Sequence, residues 1–458
     1  MTGPDGNRPV AMELGRFVAG LGPDDIPPGA LARCKQLILD TIGVGVAGSH
    51  DPVAGILDRW LDLQGAHDGS VVLGGRRAPA HDAAFANGTL MHILEFDDMR
   101  WPGHGSSSVV PTALALGERQ RCGGPELLAA VIAGLEIFGT LSAHKGKPVD
   151  PSWHSTSVCA LLAAPAAGAR TLGLNATRTA HALALGAESG AGTTATLGSM
   201  ALGMHAGHAA AAGVRSTELA ASGAVANLGS VGGTDGFAAA YFGGTVDWDG
   251  FLGALGNPFL LESGGPTIRP YACGGPNQLA VASLETILRR DRLTEPDVAG
   301  IEVHLDPKIL RLSRFDWPSS RYEAKLSMRY NLAATLLGRP PDVGLSESES
   351  FADPVFRAVG ERIVVVPDRP GRVDRAEVVV TTVGGARFAE EQRVLHGSPQ
   401  DPLEDAEVVA KFRSCVARDV PEEDVERLCS VVLGLEKDTA GDFWPAWQAV
   451  AAAATNTG

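Results

Sequence analysis

One stretch constrains the fold more than any other. From His81 to Gly253 the chain consists mostly of Ala, Gly, Leu and Val, set at helical spacing and broken by glycines. Six helices are expected there: Ala83 to Asp98, Ser108 to Gln120, Pro125 to Ser142, Thr156 to Leu172, Ala176 to Gly190 and His205 to Ser222. Pro125 stands near a start, where its missing N–H does no harm. Several segments are apolar nearly all round, as helices buried on most sides are. Small side chains let such helices approach closely, so a compact all-α domain is predicted. The best membrane-span candidate, Leu127 to Ala143, is short and carries Glu136, and reads as a core helix.

The flanks differ from each other. MTGPDGNRPVAMELG is a polar start without a basic-then-apolar leader, so no signal peptide is expected. A short amphipathic helix, Ala11 to Leu21, precedes a second with Leu31, Cys34, Leu37, Ile38 and Ile42 on one face. That second helix runs into Gly43-Val44-Gly45-Val46-Ala47-Gly48, a formal G-x-G-x-x-G followed later by Asp62. The preceding periodicity is helical rather than strand-like, and Asp62 falls in another helix (Ala54 to Leu63). These glycines therefore read as helix-packing positions, not a nucleotide loop. Val71 to Gly74 reads as a short strand or turn.

Near Gly264 the pattern changes. Ile301 to Leu305 alternates as a strand does, Ile363 to Val366 is a short apolar run, and Glu377 to Val383 with Arg387 to Val394 reads as a hairpin around Gly384-Gly385. Helices Gln278 to Arg289 and Ala324 to Leu337 lie between. After Pro402 the helical period returns in Glu404 to Ala417, Glu422 to Leu433 and Phe443 to Ala453. The predicted fold is mainly α with an α+β insert. Residues 1–265 and 401–458 form one helical domain, and residues 266–400 form a smaller α+β lid joined through the linker-like Glu262 to Pro266.

Charge and cysteines narrow the function. Lys and Arg number 38 against 53 Asp and Glu, a net charge of -15, which disfavours nucleic acid and anionic membranes as partners. Six scattered cysteines without a CxxC pair point to reduced thiols and a cytoplasmic setting. No phosphate loop, G-x-S-x-G elbow or H-E-x-x-H occurs; Lys145-Gly146-Lys147-Pro148 reads as a basic turn only. His205 and His208 lack an acidic or cysteine companion for a metal. No metal and no cofactor is expected.

Chemistry concentrates between Met91 and Gly117, where His92, Glu95, Asp97, Asp98, Arg100 and His104 interrupt the apolar text. The stretch reads as a helix end, a Trp-Pro-Gly-His-Gly loop, and a second helix capped by Ser106, Ser107 or Ser108. That helix start offers unpaired N–H groups to an anion. Metal-free acid/base chemistry is the expectation, from Glu95, Asp97, Asp98, His104 and His154, with Arg269 or Lys325 arriving from the insert.

Taken in order, Glu95-Phe96-Asp97-Asp98, His104-Gly105-Ser106, Trp153-His154, Met204-His205-Ala206-Gly207, Arg269-Pro270-Tyr271-Ala272-Cys273, Glu323 to Tyr330, Asp401-Pro402-Leu403 and Lys411-Phe412 resemble the MmgE/PrpD family. Its members include 2-methylcitrate dehydratase, cis-aconitate decarboxylase and iminodisuccinate epimerase. The resemblance implies a helical domain built from both chain ends, a smaller α+β lid, a homodimer and a cleft between the domains. It also implies catalytic roles for Glu95, His104, His154 and Tyr330, and substrate contacts from Asp98, Ser106, Arg269, Gln278 and Lys325. Glu95 stands where Asp is usual, and Met99 where Thr is common. The family's lysine and later histidine fall on Leu202 and Gln278. A cofactor-free lyase or isomerase follows, working by proton removal beside a carboxylate or carbonyl on a substrate poorer in charge than a tricarboxylate. A cyclase of specialised metabolism and a binding protein with a decayed site are the alternatives.

Overall fold

The computed structural model describes residues 9–65, 67–100, 103–146, 152–263, 265–368, 370–371 and 373–454. Trp101 and Pro102 of the expected loop, the segment 147–151 and Gly264 of the linker lie outside the described residues.

Helices α1 (Val10–Gly20) and α2 (Pro28–Gly48) open the chain, and a short ladder pairs β1 (Ser70–Val71) with β2 (Arg77–Ala78). Then follow α3 (Ala80–His92), α4 (Ser106–Gln120), α5 (Gly124–His144), α6 (Ser155–Thr171), α7 (Ala176–Ala187) and α8 (Ala201–Ala221). All six expected helices of this run are present. The first stops at His92 rather than Asp98. Ile93 N–H still bonds back to Thr89, but Glu95 N–H closes a turn onto His92 and Glu95 takes a left-handed φ of 53°. The carboxylates therefore sit on an irregular return, not on a helix.

Of the described helices, α5 alone is long and apolar enough to cross a membrane, and 83% of its most apolar window is buried inside the fold. Its Glu136 accepts the backbone N–H groups of Leu260 and Gly256. Gly43, Gly45 and Gly48 lie within α2, where a Cβ on Gly48 would come 2.1 Å from the Leu90 carbonyl. The packing of α3 against α8 has the same basis: a Cβ on Gly207 would come 2.3 Å from the Phe85 carbonyl.

The insert carries α9 (Gly275–Asp291), β3 (Val298–Leu305), α10 (Met328–Leu336), β4 (Ile363–Pro367), β5 (Ala376–Thr382) and β6 (Arg387–Gln392). The sheet order is β4-β3-β5-β6, with β3 parallel to β4 and antiparallel to β5, and β5–β6 the expected hairpin. The helix expected over Ala324 to Leu337 is divided, because the Ser327 side chain accepts Tyr330 N–H and starts a new helix there. Helices α11 (Asp405–Val416), α12 (Glu422–Leu433) and α13 (Phe443–Ala453) close the chain.

Buried apolar side chains form one large cluster from residues 10–272 and 403–454, and a second from 280–380 in which α9 and α10 cover the sheet. Arg33, on α2, donates from Nη2 to both the Pro266 and Gly397 carbonyls. Between those same segments Ile268 N–H bonds to Gly397 at 3.0 Å. The chain thus enters and leaves the insert at one point.

Candidate active site

The return after α3 is held by a buried guanidinium. Arg269, fully buried, donates from Nε to the Asp97 carbonyl, from Nη1 to Glu95 Oε2 at 2.9 Å and to the Cys273 carbonyl at 3.2 Å, and from Nη2 to Asp97 Oδ1. The other Asp97 oxygen lies 2.9 Å from His92 Nδ1. Burial alone would raise the Glu95 and Asp97 carboxyls. For Glu95 the charges of Arg269, His104 and His92 outweigh it, and for Asp97 those of His92, His104 and Arg269, so both sit below the usual carboxylate range. His92, despite its burial, is raised by Asp97. Two carboxylates, a guanidinium and an imidazole whose protonated form Asp97 favours therefore share one buried network, which locks Glu95 in its left-handed conformation. Such a conformation costs a non-glycine residue about 1–3 kcal/mol and needs surrounding bonds to persist.

His104 is held differently. Its Nδ1 lies 2.8 Å from the Asp98 carbonyl, and a carbonyl can only accept, so Nδ1 carries the proton and Nε2 the lone pair. Burial lowers its pKa to about 4, against partial compensation from Asp97, so the ring is neutral at pH 7. Asp98 turns its side chain the other way: Oδ1 accepts Ser106 N–H at 3.2 Å. Burial and the neighbouring Asp97 charge push that carboxyl up to about 7. The first free N–H of α4 is thus occupied from within the chain. This corrects the expectation that Ser106 offers an anion cradle to substrate, and the helix is preceded by Gly105 with no serine side chain capping it. Asp98 is 0% exposed and is not among the residues lining the cavity, and its Oδ2 is buried without a hydrogen-bond partner among the described residues.

Glu95, His104 and His154 come together in one cavity of about 260 Å³, with Lys145 and Trp153 beside them and Gly274, Gly275 and Pro276 of the insert opposite. His154 Nδ1 meets His205 Nδ1 at 2.9 Å, so one ring donates and the other accepts. Burial and the mutual proximity of these imidazoles keep His154 well below its ordinary value, and burial lowers His205 to about 4. Lys145 Nζ donates to Ser155 Oγ at 3.0 Å.

The other predicted residues lie elsewhere. Arg269 spends its donors inside the network. Lys325 donates to the Ile93 carbonyl at 2.6 Å and does not line the cavity. Tyr330 is packed against Trp317 and Phe356 in a satellite core of the insert, so it is not the pocket donor expected. Gln278 lines a neighbouring cavity, holding the Tyr271 and Cys273 carbonyls through Nε2. Leu202 is buried and lines neither. Sequence reasoning missed Lys145, whose basic turn carries no motif, and the roles of His92 and His205; the Met204-His205 motif was the one signal for the latter. His92, Asp97 and His104 could also approach a metal, with ligand-type atoms within 4.8 Å of one another. Both Asp97 oxygens are already engaged, by His92 Nδ1 and by Arg269, and His104 Nδ1 is engaged by the Asp98 carbonyl, while the Nε2 atoms of His92 and His104 remain open.

Known proteins resemble this chain in sequence. The MmgE/PrpD N-terminal domain matches residues 12–249, and the MmgE/PrpD C-terminal domain matches residues 271–437. The chain belongs to the MmgE/PrpD family. Cis-aconitate decarboxylase of Mus musculus is 27% identical over 448 residues, covering 93% of this chain and 91% of that protein. The Homo sapiens enzyme of the same name is 26% identical over 441 residues, covering 92% and 90%. A cis-aconitate decarboxylase-like protein of Aspergillus oryzae, oryM, reaches 33% over 204 residues, 42% of each chain. This MmgE/PrpD chain is accordingly an enzyme of lyase type.

Proposed function

We propose that the cavity removes carbon dioxide or water from an unsaturated or hydroxylated carboxylic acid, with His104 moving the proton and no cofactor taking part. The observation that carries this reading is the Nδ1 bond to the Asp98 carbonyl, which leaves a neutral His104 with its Nε2 lone pair in a cavity also lined by Glu95 and His154. A neutral imidazole accepts a proton from carbon, and the ionised Glu95 stabilises the imidazolium that forms. In dehydration the imidazolium hands that proton to the departing hydroxide, which leaves as water; in decarboxylation no proton is taken from carbon, and a His104 protonated from solvent as the anionic substrate binds delivers its proton to the carbon that keeps the electron pair of the departing carbon dioxide. An anionic substrate raises the proton affinity of His104 on binding, moving it from about 4 toward neutrality. His154, held by its His205 partner, adds a second imidazole to the same cavity.

Among the described lining residues Lys145 is the one cation, so one substrate carboxylate is matched there. A compact tricarboxylate would leave charges without partners, and desolvating them is unfavourable. The substrate therefore carries fewer carboxylates at the reacting end than cis-aconitate or 2-methylcitrate. Reprotonation without loss of a group, an isomerase reaction, uses the same first step.

The test measures carbon dioxide release and double-bond absorbance with candidate mono- and dicarboxylic acids beside cis-aconitate and 2-methylcitrate. His104→Ala should lower turnover of the competent substrate by about 10²–10⁴-fold, the usual contribution of a general acid/base. An unaffected variant sinks the assignment of His104. Turnover of either tricarboxylate near about 10 s⁻¹, a typical enzyme rate, would instead sink the argument from charge.

A further inference from the structure

A second cavity of about 210 Å³ abuts the first, the two sharing Met99, Gly275 and Pro276 as a common wall. Its deep surface is apolar, from Leu279, Leu305, Ile309 and Leu395. Two buried polar groups interrupt it. Gln278 is 1% and Ser398 6% exposed, and neither Gln278 Oε1 nor Ser398 Oγ has a hydrogen-bond partner among the described residues. Buried polar atoms left without partners cost about 1–3 kcal/mol each, which a ligand group would relieve. At the outer side stand Arg375 and Arg393, with side chains 20% and 55% exposed; both are paired with Glu391, and Arg375 also with Asp374 of the same cavity, solvent-exposed ion pairs of the kind worth about 0–1 kcal/mol that a ligand carboxylate would exchange for its own.

We infer that this second cavity is a substrate subsite, taking an apolar arm that passes Met99 and ends in an anionic group at Arg375 and Arg393. The inference rests on the lyase reading of the first cavity and adds the shape of its substrate: one carboxylate at Lys145, a flexible methylene arm, and a distal anion. The apolar walls accept methylenes, and a hydroxyl on the arm would satisfy Gln278 Oε1 or Ser398 Oγ. Met99 and Pro276, which face both cavities, set how wide an arm can pass. Gln278, displaced from the reacting cavity, becomes a specificity residue of the second.

Saturated linear diacids report this geometry without turnover. Calorimetry on the full chain with glutarate, adipate, suberate and decanedioate should show affinity rising about fourfold per added methylene, the value of fully burying one, until the arm length is matched. Arg375→Gln/Arg393→Gln should abolish the gain for suberate while leaving glutarate binding in place, which also shows that the variant is folded. Octanoate, with the same arm and no distal anion, should bind more weakly than suberate. A flat series, no binding at any length, a gain that survives in the double variant, or octanoate equal to suberate overturns the proposal. If His104→Ala kills turnover while the diacid series is flat, the subsite alone is wrong. If the series rises while His104→Ala is fully active, the lyase reading is wrong.

Discussion

Replacing Arg269 by methionine tests the physical basis of the site most directly. The side chain is fully buried and makes four hydrogen bonds, two of them to carboxylates that are buried with it. Methionine fills similar space but leaves Glu95 and Asp97 with His92 as their near cation. Removing one partner of a buried ion pair costs about 3–5 kcal/mol, a large share of the 5–15 kcal/mol typical of a folded domain. The loss should depend on pH. In the native chain both carboxyls are held below their ordinary values, so they favour folding above about pH 4 and lose that contribution as pH falls through their folded values. Without Arg269, burial dominates at Glu95 and raises its pKa, so the folded variant takes up a proton before the unfolded chain does. Its deficit should therefore shrink as pH falls from 7 toward 5. Urea denaturation at several pH values, compared at constant slope, measures this. Arg269→Met/Glu95→Gln should recover at least about 1 kcal/mol, because one of the stranded charges is gone. A deficit below about 1 kcal/mol at pH 7, or one that does not change with pH, would refute the account of Arg269 as the counter-ion of the site.

Three further outcomes follow from the same geometry. Asp98 has a folded pKa of about 7, above its unfolded value, so it favours folding in acid and loses that contribution as pH rises from about 4 through 7; Asp98→Asn should flatten the stability–pH curve there while its Oδ1 still accepts Ser106 N–H. Gly207→Ala should cost about 1–3 kcal/mol in thermal or urea denaturation, because its methyl meets the Phe85 carbonyl and α3 cannot retreat without opening the core; a neutral result would mean that α3 and α8 can separate freely. Exhaustive chelation should leave turnover unchanged, since His92, Asp97 and His104 act as a proton network; loss restored by a divalent ion would assign them as ligands instead.

Much of the architecture was legible because it is periodic. The helices between His81 and Gly253, the hairpin of β5 and β6, and the return of helix after Pro402 each repeat a pattern that backbone geometry imposes. The Gly43 to Gly48 motif was also readable, since glycines inside a helical period have only packing to serve. The site was legible as a place but not as a set of partners. Asp98 and Ser106 are eight residues apart, and nothing in their spacing says that one fills the other's helix start. Arg269 and Lys325 are cations in matching segments, yet one is consumed by two carboxylates and the other by the Ile93 carbonyl. Lys145 entered the cavity from a turn without any pattern. Tyr330 was drawn away by Trp317 and Phe356, an aromatic cluster that only the fold of the insert assembles.

The Arg33 clamp has a consequence for how the chain reaches this state. Ile268 and Gly397 are joined by one hydrogen bond, with Arg33 spanning Pro266 and Gly397 beside it. To a polymer, the intervening segment of about 130 residues is a closed ring, and closing a ring of that length costs about 4 kcal/mol of chain entropy beyond a constant. Once the helical half has formed and Arg33 is in place, that entropy is already spent, and the sheet assembles in a segment whose ends no longer wander. If the sheet forms first, it draws the two distant helical pieces of the chain to the same spot. Either half therefore acts as a template for the other, and a break at the clamp would slow folding from both directions.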